Sequence, residues 1–161
     1  MAIYTKTGDR GKTSTFSGKR VLKSSKLICA IGSLDELNSY LGIVGGLEEV
    51  QKNLFTINAI LTGAKLKFPN DATKNLEREI DEIEGKLPVQ KNFLIYGGTK
   101  KASELYFARA ICRRAERELV DLRTKPELLI YINRLSDYLF IKAREVNFQK
   151  KIKETIWKTS K

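Results

Sequence analysis

The 161-residue chain contains no histidine. This removes the side chain that ordinarily titrates near neutral pH, and with it Ser-His and Cys-His nucleophilic systems and imidazole metal sites. Chemistry driven by positioning and charge stabilisation stays open. Cysteine is scarce: Cys29 and Cys112 are the two present. Each sits in an apolar helical pattern, so both are expected to be buried free thiols. No uninterrupted run of about 18 apolar residues occurs, so no membrane-spanning helix is expected. The N-terminus is polar and does not read as a secretory leader, which makes the cytoplasm the expected compartment.

The residues that are present suit one globular domain, with 42% hydrophobic content and a net charge of +11. The excess of cations favours an anionic partner, either nucleic acid or a polyanionic small molecule. Many lysines are scattered (Lys65, Lys67, Lys74, Lys86, Lys91), as in simple surface solvation. The ending "KKIKETIWKTSK" concentrates charge around one tryptophan but carries no nucleic-acid signature.

Apolar residues recur at helical spacing in most of the chain. Leu27, Ile31, Leu34, Leu41 and Val44 predict a first helix ending near Gly45-Gly46. Leu54, Ile57, Leu61 and Ala64 predict a second over about 47–67, stopped at Phe68-Pro69. Asn70-Asp71 is placed to cap a third, running to about Lys86 before Pro88. A loop, "PVQKNFLIYGGTK", leads to a fourth helix over about 100–123. A fifth follows Pro126, with Leu128, Ile132, Leu135, Leu139 and Val146 on its stripe. No strand is expected. The fold class is all-α, an antiparallel five-helix bundle.

Four segments are unusual for bundle surface. "TKTGDRGKTSTFSG", Thr5–Gly18, clusters glycines, hydroxyls and cations. Glycine lets backbone N–H groups turn toward an anion, and hydroxyls and lysines add donors. Gly11-Lys12-Thr13 imitates the end of a Walker loop, but Lys6 stands where that pattern needs its first glycine. Arg109, Arg113 and Arg117 form a row at i, i+4 and i+8, with Arg114 beside them. Such a row repels itself by about 0.2–0.5 kcal/mol per step unless a carboxylate or phosphate neutralises it. Asp35 follows core position Leu34, and Asn133 and Asp137 flank the last apolar stripe. Read singly, each of these also suits a solvated face.

Taken in order, "TKTGDRGKTS", "KRVLK", "GSLDELNSYLG", "FLIYGG", "ARAICRRAER" and "YINRLSDYLFIKAR" resemble the PduO-type ATP:cob(I)alamin adenosyltransferases, over about Tyr4 to Arg144. The resemblance implies a five-helix homotrimer with active sites between subunits. It implies an ATP-binding loop over residues 1–23, a bundle over 24–154 and a basic tail over 155–161. ATP would meet Thr5, Lys6, Thr7, Gly8, Thr13, Ser14 and Lys23. It would also meet the run Arg113, Arg114, Ala115, Glu116 and Arg117, and Asn133. Asp35, Phe93 and Arg113 would serve the corrinoid. In that role Asp35 pairs with Arg113, and Phe93 fills the space under the ring and displaces the lower axial ligand. Arg117 would act on phosphate. Magnesium would accompany ATP, cobalamin would be a substrate, and a reductase or a cobalamin-dependent acceptor enzyme would be a further partner. Neither membrane nor nucleic acid is an expected partner. Two positions depart from the usual pattern: Tyr96 stands where many relatives have proline, and Tyr106 where many have histidine. A non-catalytic basic bundle that binds nucleic acid or ATP is the alternative.

Overall fold

The computed structural model describes residues 3–158. Five helices carry the fold: α1 (Lys26–Val44), α2 (Glu48–Leu61), α3 (Ala72–Glu84), α4 (Lys100–Asp121) and α5 (Pro126–Gln149). Helix α4 packs mainly on α5 and α1, α3 lies on α5, and α2 lies on α1. Leu34, Leu37, Leu41, Leu54, Ile57, Leu119, Ile132, Leu135 and Leu139 are fully buried between them. Each such side chain contributes roughly 1.5–3 kcal/mol on leaving water. The five-helix architecture therefore follows the apolar stripes.

Two expectations about burial divide. Cys112 is buried and donates its thiol to the Ile132 carbonyl at 3.3 Å. Burial pushes that thiol's pKa well above its ordinary value. Cys29, by contrast, is exposed on α1, because the core face there turns through Ala30, Leu34 and Leu37 instead. Although its sequence is broken by charges, α1 is long and apolar enough by composition to cross a membrane, with a mean hydropathy of 1.3. Its apolar residues include Leu34, Leu37, Leu41 and Val44, which belong to the bundle core.

Helix α2 stops at Leu61, short of the expected Lys67. Gly63 has φ 99° and takes the chain out of the helix. At α3 the Asp71 side chain makes no capping bond. Thr99 does cap α4, its hydroxyl accepting from the Ala102 N–H at 3.1 Å, and Pro126 opens α5 at a position where its missing N–H costs nothing.

The absence of strands is corrected. β1 (Lys12–Ser14) pairs antiparallel with β2 (Arg20–Leu22), and β3 (Leu94–Ile95) with β4 (Thr155–Ile156). Two or three residues are too few to show period-2 patterning, and β3 finds its partner far along the chain. The beginning of the expected basic tail is thus tied to the Phe93 loop, while Thr159–Lys161 lie outside the described residues.

The two small sheets sit at different ends of the bundle. Lys26 at the start of α1 bonds Asp121 at the end of α4 at 3.0 Å, and Ser17 N–H bonds the Thr62 carbonyl at 3.1 Å, which seats the N-terminal hairpin there. β3 and β4 lie by the start of α4 and the end of α5. The 22 residues of α4 separate these ends by about 33 Å.

Candidate active site

Glycine and short strands give the N-terminal loop a defined shape. Thr13 pairs with Val21 across the hairpin, Lys23 N–H bonds the Gly11 carbonyl at 2.9 Å, and Gly11 turns at φ 72°. A side chain on Gly8 would press on the Lys23 ammonium, so glycine admits that lysine over the loop. Thr5 and Thr7 hydroxyls are 2.8 Å apart. Arg20 braces the fold, donating to the Thr7 carbonyl at 2.7 Å and to Ser14 Oγ at 3.2 Å. Thr5, Lys6, Thr7, Gly8, Thr13, Ser14 and Lys23 are therefore gathered in one exposed or half-exposed hairpin. Arg20 was missed in the sequence, where nothing distinguishes it from its basic neighbours.

Along α4 the arginines take different duties. Arg113 and Arg117 are exposed, and among the described residues neither pairs with a carboxylate. Arg117 Nη1 donates only to the Arg113 carbonyl, at 3.0 Å. Arg114 is paired with Glu36. The expected pair between Asp35 and Arg113 is not formed within the chain. Successive helix residues point about 100° apart, and with Leu34 and Leu37 inward it is Glu36 that faces α4. Asp35 is left exposed. Ala115 is fully buried, so its side chain belongs to the core rather than to a ligand surface. Glu116 and Asn133 do meet: the Asn133 amide donates to Glu116 Oε1 at 2.7 Å, joining α5 to the arginine face. Asp137 instead accepts from Arg134 at 2.9 Å, and Arg134 also bonds Glu77 at 3.1 Å.

Phe93 lies at the other end, 77% exposed. Its carbonyl accepts from the backbone N–H of Trp157 at 2.8 Å, and the two rings meet edge to face with centroids 6.5 Å apart. Two buried residues of α5 hold the loop on either side. Arg144 bonds Glu154 at 2.7 Å and the Pro88 carbonyl at 2.9 Å. Asn147 donates to the Gly97 carbonyl at 2.9 Å and accepts from the Thr99 N–H at 3.0 Å. Gly98 passes so close at φ 109° that any side chain there would overlap Asn147. Neither Asn147 nor Trp157 carried a sequence signal for this work, since their partners are about 50 or more residues away. Tyr96 and Tyr106, the two departures from the family pattern, stack on each other with centroids 4.7 Å apart.

The described residues contain no group of three or more Asp, Glu, Cys or His side chains placed to hold a metal. A magnesium ion bound by one or two protein oxygens and substrate phosphates needs no such group.

A model of the cobalamin adenosyltransferase family matches residues 3–146. Corrinoid adenosyltransferase MMAB from Mus musculus is 38% identical, over 97% of this chain and 77% of that protein. A corrinoid adenosyltransferase from Bacillus subtilis is 40% identical, over 91% of this chain and 87% of that one. Among solved structures, a variant PduO-type ATP:corrinoid adenosyltransferase from Lactobacillus reuteri complexed with cobalamin and ATP superposes with a TM-score of 0.92 at 34% identity. That match covers 99% of this chain and 98% of the other. A further variant of the same enzyme, complexed with ATP, gives 0.89 at 37% identity, over 97% of this chain and 100% of the other.

Proposed function

The chain belongs to the cobalamin adenosyltransferase family, and from that premise we infer how its exposed clusters divide the reaction. It is an enzyme that transfers the 5′-deoxyadenosyl group of ATP to the Co(I) centre of a reduced corrinoid. The electron pair on Co(I) forms the bond to C5′. The C5′–O bond breaks, and its electrons leave with triphosphate. No proton has to move, so a chain without histidine loses nothing.

The observation that carries the assignment of residues is the pair Arg113 and Arg117. They are exposed, one turn apart and, among the described residues, without carboxylate partners, beside the Asn133–Glu116 bond. Such cations suit the triphosphate, whose charge grows as it leaves. The hairpin would hold the same ATP through Thr5, Lys6, Thr7, Gly8, Thr13, Ser14 and Lys23. Arg114, already paired with Glu36, would orient the helix rather than bind phosphate. Magnesium would enter with ATP, where it neutralises phosphate charge.

Phe93 and Asp35 would serve the corrinoid. The two Lactobacillus structures alter a phenylalanine and an arginine twenty positions apart, the same separation as Phe93 and Arg113 here. The hairpin and the Phe93 loop lie at opposite ends of α4, about 33 Å apart. This supports a site completed by a neighbouring copy, as in a homotrimer. Exposed Ile43, Phe55, Phe107, Val120 and Ile130 offer apolar area for such packing. The cytoplasm is the compartment in which ATP and a reduced corrinoid would meet, with a reductase or acceptor enzyme as a transient partner.

The test is anaerobic incubation with ATP and chemically reduced cobalamin. The absorbance change of cobalt–carbon bond formation, with one triphosphate released per bond, is the expected result. Binding of ATP without that change would leave only a nucleotide-binding bundle. Light scattering at micromolar concentration is expected to give three copies; a fully active monomer would remove the shared site.

A further inference from the structure

Phe93 precedes a ladder of only two residue pairs, Leu94 with Ile156 and Ile95 with Thr155. Strands this short are marginal by themselves in water. A side chain that has to keep its place against a ligand needs further support, and the structure supplies it three residues later.

The ring of Tyr96 lies almost flat on Tyr106, with centroids 4.7 Å apart and an interplanar angle of 21°. Phe140 of α5 packs against both, 6.5 Å from Tyr96 and 5.9 Å from Tyr106. Arg109 closes the assembly. Its guanidinium lies 5.5 Å from the Tyr96 centroid and 5.5 Å from that of Phe140, and Nη1 donates to the Tyr96 hydroxyl at 3.1 Å. Tyr106 is 5% exposed and Tyr96 is 53% exposed, so a loop residue is docked on a buried one. Arg109 begins the arginine row but is spent on aromatic faces, unlike Arg113 and Arg117.

We propose that Tyr96, held between Tyr106 and Arg109 and backed by Phe140, is a positioning residue that fixes the end of β3 and so the placement of Phe93 toward the corrinoid. The proposal rests on the reading of Phe93 given above. Stacking supplies most of the hold, because flat aromatic contact and a cation over the ring act together on one side chain. The hydroxyl bond to Arg109 is exposed and secondary.

Trp157, the single tryptophan, reports on the loop without any ligand, since its ring meets that of Phe93 edge to face and its backbone N–H bonds the Phe93 carbonyl. Tyr96→Ala is expected to increase the local motion of Trp157 in time-resolved fluorescence anisotropy. It should also raise KM for reduced cobalamin about two- to tenfold, the range an aromatic stack supplies, with ATP affinity unchanged. Tyr96→Phe keeps the stack and should match wild type within about twofold on each measure. If Tyr96→Ala melts early, Tyr96→Leu retains bulk without stacking and is read in its place. Unchanged Trp157 motion and KM overturn the proposal. Equal damage from alanine and phenylalanine also overturns it, because the hydroxyl would then be the anchor. Loosened Trp157 with an unchanged KM keeps the anchor but rejects its link to the corrinoid. Absence of adenosyl transfer in wild type would instead reject the reading of Phe93, with the Trp157 measurement still deciding whether the stack holds the loop.

Discussion

Glu36 of α1 and Arg114 of α4 form an ion pair across the bundle, while Asp35, one residue earlier, faces solvent. The side chains of that pair are 51% and 43% exposed, so it is worth about 0–1 kcal/mol. Glu36→Gln should therefore shift the melting temperature only slightly. Asp35→Asn should leave melting unchanged and weaken corrinoid binding, with ATP binding less affected. Titration of each substrate separately checks this. Equal loss of both affinities would mean a folding defect, and no loss at all would remove Asp35 from the site.

Arg117→Ala should reduce ATP affinity and turnover at least about tenfold, because a charge-assisted contact to phosphate is worth about 1.5–3 kcal/mol. Arg78 is the control: it is exposed on α3 and, among the described residues, its one ion pair is with Glu82, at 4.0 Å. Steady-state kinetics of Arg117→Ala and Arg78→Ala should differ clearly. If they coincide, the arginine row is a solvated face.

Phe93→Ala should slow reduction from Co(II) severely and leave ATP affinity and melting temperature nearly unchanged, since the ring is largely exposed. Prereduced Co(I) should recover part of the rate. The cob(II)alamin spectrum with protein and ATP is the check. A four-coordinate signal as strong in Phe93→Ala as in wild type would make the ring a loop anchor only.

Stability should fall at alkaline pH. Burial raises the Tyr106 pKa from 10.0 to about 12, and burial also raises Tyr131 and Tyr138, the latter helped by Glu79. The folded state thus holds protons that the unfolded chain has released. The associated stability is fully present below about pH 10 and is lost as pH rises toward the folded values. For Tyr106 alone this is on the order of 2–3 kcal/mol. Urea midpoints should be flat up to about pH 9 and then drop, less steeply in Tyr106→Phe. A midpoint independent of pH up to about 11 would show that these hydroxyls reach water freely.

The sequence by itself determined the five helices, because burying a helix demands apolar residues at helical spacing, and Leu34, Leu54, Leu119 and Leu135 keep that spacing without ambiguity. It also exposed the loop Thr5–Ser14 and the arginine row, whose composition is costly without an anion. Its order of motifs indicated the family. What it could not contain was pairing between distant residues. Asp35 and Glu36 are chemically alike neighbours, and only the rotation of α1 against α4 chose Glu36 for Arg114. The strands β3 and β4 are each too short to recognise, and they exist because α5 returns the chain to the Phe93 loop. Arg144, Asn147 and Tyr96 became supports of that loop through contacts made in three dimensions. Local pattern fixes which face of an element is buried; which residues then touch depends on how the buried faces dock, and that was decided by the tertiary structure alone.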